Sequence, residues 1–410
     1  MSVKIRLIIM NFLQYAIWGA WLISLGSYLG GKLDFTGLQI GSFFATMGIA
    51  SLFMPGIMGI IADRWIPAQK LLGICHILAA AFMFAAALQV SYSTLYPLLL
   101  CSVMFFMPTI ALSNSVAYNA LDKAGLDSVT AFPPIRVWGT VGFIISMITV
   151  SLLGWEQSPM QLYLSGGLGL VLGMYSFTLP ASPINRNPEK KSWIDKLGLR
   201  AFALFKEKKM AIFFIFSMLL GMMLQVTNAY ANPYIKGFGE MAEYANTFGV
   251  KYTNILISLS QISEAVCILM IPFFLKKFGI KKVMLISMVA WVLRFALLGA
   301  GNPGPGLWMF ILSMLVYGVA FDFFNISGSL FVDKETSPQI RSSAQGVFMM
   351  MTNGFGAFFG SYAAGLVVNT YGNTPKSWFI FAGFAAVVAI LFAIIFKYKH
   401  NPEEMKDVKV

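Results

Sequence analysis

A chain of 410 residues that is 58% hydrophobic and only 11% charged cannot cover a water-facing surface of its own size, because soluble domains carry roughly 25% charged residues. The formal net charge of +12 does not point to nucleic acid, since the basic residues fall between apolar runs and form no continuous basic face. Cys75, Cys101 and Cys267 lie apart inside apolar runs, and His76 and His400 form no cluster, so no metal or cofactor is expected.

A membrane-spanning helix needs about 20 mainly apolar residues. Marking such runs predicts twelve, over residues 7–30, 38–62, 70–91, 95–120, 136–154, 159–180, 210–234, 253–275, 281–301, 306–332, 342–369 and 376–397. The first follows Lys4 and Arg6 as a signal peptide would. It is too long for the apolar core of one, contains Asn11 and Gln14, and lacks a clear small-residue cleavage site, so it reads as a membrane helix. The polar, basic stretch 181–209 divides the chain into an N-terminal bundle (1–180) and a C-terminal bundle (210–410). That stretch reads either as a solvated cytoplasmic loop or as an amphipathic helix on the membrane face that includes Trp193, Leu197 and Phe205.

The N-terminus, the even-numbered loops and the C-terminal tail hold 24 of the 29 basic residues, counting Arg136 at a helix edge. The odd-numbered loops hold only Lys32, Lys236, Lys251 and Lys376, and Arg294 falls inside a helix. This asymmetry predicts cytoplasmic termini and a cytoplasmic central loop. PPIR (133–136) followed by Gly139, and SPQIR (337–341) followed by Gly346, open the matching run of each half. They suggest two related bundles around a central path, rocking about a solute near the midplane.

Polar side chains inside the runs mark candidates for that path, because a charge at mid-bilayer costs about 2.5–3.5 kcal/mol on insertion scales. Gln261 and Glu264 share a face at i, i+3, as do Gln225 and Asn228. Tyr317 and Phe321 share a face at i, i+4, and Asp322 follows them. Arg136, Thr140 and Phe143 form one stripe, and Gln14 and Trp18 another. Against this stands packing: amides bridge membrane helices without touching solute, aromatic residues fill cores, Arg294 can pair with one of the acids, and His76 suits packing better than a proton relay. A carboxylate that discharges to cross apolar surroundings can carry a proton with the solute, which singles out Asp322, with Glu264 as the other candidate. Amides and carboxylates suit vicinal hydroxyls and aromatic rings suit a flat base, so nucleosides and sugars both remain open on chemistry alone. No Gly-Lys-Ser/Thr phosphate loop and no nucleophile–base constellation argues for an enzyme.

GIIADRW (59–65), with Lys70 after it, resembles the Gly-x-x-x-Asp-Arg loop of the major facilitator superfamily. The resemblance implies a gating role for Asp63 and Arg64. The matching KKFGIKK (276–282) keeps the basic residues without the acid. Longer strings, FLQYAIWGAWL (12–22), FPPIRVWGTVGF (132–143), MAIFFIFSMLLG (210–221), SQISE (260–264), FDFFNISGS (321–329) and MMTNGFG (350–356), resemble the bacterial nucleoside:proton symporters, the nucleoside permease family. That resemblance implies substrate binding by Arg136, Thr140, Phe143, Gln225, Asn228, Gln261, Glu264, Tyr317 and Phe321, and proton coupling at Asp322. One departure is Ala131, where an acidic residue is expected before Phe132.

The expectation is therefore an all-α integral membrane protein of the major facilitator superfamily fold, with twelve transmembrane helices in two six-helix bundles. It is expected to be a nucleoside:proton symporter for purine and pyrimidine nucleosides, not an enzyme, monomeric, and resident in the bacterial inner membrane. Its rivals are a sugar:proton symporter of the same fold and a membrane sensor that binds ligand without transporting it. Competition by free ribose or a disaccharide as strong as by uridine would favour the first. Binding without accumulation would favour the second.

Overall fold

The computed structural model describes residues 2–184, 199–337 and 340–398, and among them all regular structure is helical. The chain forms two compact units, Met1–Leu197 and Gly198–Val410. The first holds α1 (Val3–Gly19), α2 (Leu25–Gly31), α3 (Gly37–Arg64), α4 (Ala68–Ala87), α5 (Tyr92–Lys123), α6 (Ser128–Leu152) and α7 (Met160–Ser176). The second holds α8 (Lys208–Gly237), the single turn α9 (Phe248–Lys251), α10 (Thr253–Ala300), α11 (Leu307–Glu335), α12 (Arg341–Met349), α13 (Ala357–Tyr371) and α14 (Pro375–Ile395).

All twelve apolar runs are helical, with four departures from the expected outline. The first run is interrupted between α1 and α2. Residues 20–24 there are non-helical but wholly buried, and Ser24 donates to Gln161 Oε1 on α7 at 3.0 Å. Irregular backbone at membrane depth is tolerated where protein covers it in this way. Secondly, α6 starts at Ser128, well before the expected 136, and carries Pro133 and Pro134 inside it. Asp127 supports that start by accepting from the Thr130 N–H at 3.3 Å and from its hydroxyl at 2.9 Å.

Thirdly, the eighth and ninth runs meet with no intervening loop, because α10 reverses at Gly279 (φ 76°, ψ 167°), a conformation open to glycine and closed to side chains. Arg294 on the second limb reaches Ser260 on the first, so the limbs lie antiparallel. Fourthly, a π-helical stretch, Met350–Gly356, joins α12 to α13. Gly221 on α8 lies directly against the Thr352 carbonyl, with no room for a side chain between them. Of the central stretch, Leu199–Lys206 is 3-10 helix. Its Leu204 is buried, and Phe205 packs on Phe214 of α8 with ring centres 5.1 Å apart. Trp193 and Leu197 lie outside the described residues.

Eight helices among the described residues are long and apolar enough to cross a membrane, α10 counting once although it holds two limbs. Large apolar side chains face outward, such as Leu269 at 81% and Ile394 at 65% exposure. In water that surface would drive aggregation, whereas lipid solvates it without cost.

Candidate functional site

In the first unit, Arg136, Thr140 and Phe143 occur along one stripe of α6. Arg136 and Thr140 are half-buried and Phe143 is buried. The Arg136 guanidinium carbon stands 3.8 Å from the centre of the Tyr15 ring on α1. Gly139 makes room for this contact, since a Cβ there would lie 2.6 Å from Tyr15 Cδ2 and 2.8 Å from Arg136 Nη1. Tyr15 escapes the sequence reading because its partner lies on a distant helix, and nothing in its own spacing marks it.

Gln14 and Trp18, expected to share one face toward the path, make their described contacts within the first unit. Gln14 is fully buried. Its Nε2 donates to Thr109 Oγ1 at 2.7 Å, and the Thr109 hydroxyl donates to the Phe106 carbonyl at 2.5 Å. Gln14 Oε1 therefore faces His76 Nε2, 2.8 Å away. An amide oxygen only accepts, so this network assigns a proton to Nε2 of His76. Trp18 packs edge-on against Phe106 with ring centres 5.8 Å apart. His76 is thus a packing residue that ties α4 to α1.

In the second unit, α11 carries Tyr317, Phe321 and Asp322. The Tyr317 and Phe321 rings are stacked, 5.8 Å apart and 7° from parallel. Asp322 is only 3% exposed, and its Oδ2 has no hydrogen-bond partner among the described residues. Ser263 fastens the first limb of α10 to α11, accepting from the Gly318 N–H at 3.3 Å and donating to the Leu315 carbonyl. This contact brings the next residue, Glu264, within electrostatic reach of Asp322 and Tyr317. Gln261 and Glu264 are half-buried. On α8, Gln225 is buried and its Oε1 has no hydrogen-bond partner among the described residues, while Asn228 is half-buried. An amide and a carboxyl oxygen without partners among the described residues leave acceptors for a proton or a solute hydroxyl.

Arg294 is fully buried. Its Nη1 donates to the Ser313 carbonyl at 2.6 Å and to Ser260 Oγ at 3.4 Å, and its guanidinium carbon lies 4.7 Å from the Tyr317 ring centre. Elsewhere, Asp63 and Arg64 end α3, exposed and half-buried respectively. The two matching motifs sit at different places in their helices. Arg136 lies about two turns inside α6, whereas Arg341 opens α12 and pairs with Asp333 at 2.8 Å. No group of three metal-ligating side chains occurs among the described residues.

The sequence matches the family model for nucleoside H+ symporters over residues 1–401. It is similar to xanthosine permease of Escherichia coli, 51% identical over 412 residues that cover 99% of each chain. It is also similar to nucleoside permease NupG of Escherichia coli, 49% identical over 406 residues, 98% of this chain and 97% of that one. A crystal structure of nucleoside transporter NupG aligns with a TM-score of 0.91 at 50% identity, covering 97% of this chain and 100% of that one.

Proposed function

This chain belongs to the nucleoside H+ symporter family, and from that premise we propose that it takes up purine and pyrimidine nucleosides together with protons by alternating access. The observation that carries the reading is the stacked Tyr317–Phe321 pair beside a buried carboxyl, Asp322, with an unpartnered oxygen. A flat base needs an aromatic face, worth about 1–3 kcal/mol per stacked base. A proton passenger needs a group that can take it up and lose it inside the membrane.

On this reading Phe143, Tyr317 and Phe321 contact the base. Gln225, Asn228, Gln261 and Glu264 take ribose hydroxyls and base edges, with Thr140 as a further hydroxyl partner. Arg136 holds the solute or balances a nearby acid. Asp322 carries the proton, with Glu264 as the neighbour whose charge tunes it. Asp63 and Arg64 act in gating. The protein works as a monomer in the bacterial inner membrane with both termini cytoplasmic, an orientation supported by the placement of its Lys and Arg residues.

The test is uptake of labelled uridine, adenosine and xanthosine into proteoliposomes, with and without an imposed inward proton gradient. Accumulation that collapses with an uncoupler supports symport. Equilibration indifferent to the gradient would make the protein a facilitator and remove the proton role of Asp322. Competition by free ribose as strong as by uridine would replace nucleosides with sugars.

A further inference from the structure

We propose that Arg294 is a positioning residue for solute binding: anchored on the Ser313 carbonyl, it holds the Tyr317 ring in the orientation that pairs with Phe321. The proposal takes its substrate from the nucleoside reading above.

Arg294 lies on the second limb of α10, with no exposed surface. Its guanidinium touches a carbonyl, a hydroxyl, a thioether and an aromatic face: Ser313 at 2.6 Å, Ser260 at 3.4 Å, Met314 Sδ at 3.9 Å, and the Tyr317 ring with its centre 4.7 Å away. Its Nε has no partner among the described residues. Burying a guanidinium on uncharged acceptors, with no carboxylate bonded to it, is a poor way to hold helices together, since one apolar side chain would pack as well.

The geometry instead converges on one ring. Ser313 lies one turn before Tyr317 on α11, so the bond to its carbonyl grips the turn that carries the ring. The Ser313 hydroxyl returns a bond to the Arg294 carbonyl at 2.9 Å, which locks the two helices in register at that level. Trp291, one turn before Arg294, meets the Tyr317 ring edge-on, 6.1 Å apart and at 88°. Tyr317 is thus held by a cation and an indole from the second limb of α10 and stacks on Phe321 of its own helix. Ser260, also bonded to Arg294, directly precedes Gln261. One guanidinium therefore contacts the aromatic element of the candidate site and the serine side chain next to one of its amides. Arginine suits this task because its planar cation can stack on a ring and donate in its own plane at once.

The experiment is a double-substitution cycle read as uridine uptake kinetics in proteoliposomes. Arg294→Met should raise KM about tenfold, within the range of a desolvated cation–π contact, with Vmax within about twofold. In a Tyr317→Leu background the same change should alter KM by less than about twofold, because the ring it positions is gone. Arg294→Lys, which keeps a cation beside the ring but loses the planar stack, should recover only part of the loss. Equal effects of Arg294→Met in both backgrounds would overturn the proposal, as would a fall in Vmax with KM unchanged. If the Met variant does not fold, Arg294→Gln, which keeps a donor and removes the charge, enters the same cycle with the same two readings. Should the wild type take up no nucleoside, the nucleoside reading falls alone. The cycle is then read in melting temperature, where coupled losses support the Arg294–Tyr317 link and additive losses overturn it.

Discussion

Arg136 on α6 rests on the face of Tyr15 on α1, with the guanidinium carbon 3.8 Å from the ring centre. Such contacts contribute about 0.5–2 kcal/mol depending on desolvation. If the ring presents Arg136 to the solute, Tyr15→Leu should raise the nucleoside KM about three- to tenfold, while Tyr15→Phe should stay within about twofold. Uptake kinetics decide it. An unchanged KM in the Leu variant would mean that Arg136 needs no help from Tyr15.

Asp322 offers a sharper test, because asparagine keeps its shape and removes its proton. One proton per solute moving down 100 mV yields about 2.3 kcal/mol, or roughly 50-fold accumulation. Asp322→Asn should reduce voltage-driven accumulation to about onefold, while exchange of labelled for unlabelled nucleoside across the membrane persists. Accumulation that still depends on the gradient in this variant would move the proton to another group, with Glu264 the next to be replaced.

The His76–Gln14–Thr109 chain is buried throughout and internal to the first unit. Removing one partner leaves a buried acceptor unpaired, at a cost of about 1–3 kcal/mol. His76→Leu should therefore lower the melting temperature, and His76→Leu with Gln14→Leu should recover part of that loss, since the double change removes both polar ends of the broken bond. The nucleoside KM should not move in any variant that folds. A rise in KM for His76→Leu without loss of stability would return His76 to the list of functional candidates.

Glycines provide an internal control on packing. A Cβ at Gly142 would collide with the Phe12 backbone carbonyl, whereas one at Gly167 would meet nothing within 4 Å. Gly142→Ala must push α1 from α6 and should cost about 1–3 kcal/mol, the usual range for overpacking. Gly167→Ala should be neutral or slightly stabilising, as alanine favours helix. Thermal unfolding in one detergent compares them. Equal melting temperatures would show that α1 and α6 yield at no cost.

By itself the sequence determined that this is a helical membrane protein, where its twelve apolar runs lie and which helical neighbours can meet. Bilayer thickness dictates run length, and the helical repeat is local, so the Tyr317–Phe321 stack follows from a spacing of four residues. Only the tertiary structure decided what each polar side chain does across helices. Gln14 turns from the expected path to Thr109 and His76, Arg136 finds Tyr15, Arg294 finds Ser313 and Tyr317, and α10 reverses on one glycine. The physical reason is that lipid is as apolar as a protein core. A membrane helix can be hydrophobic on every face, so its pattern does not reveal which face meets protein, and partners distant in sequence are chosen by close packing and by the need to satisfy each buried polar atom.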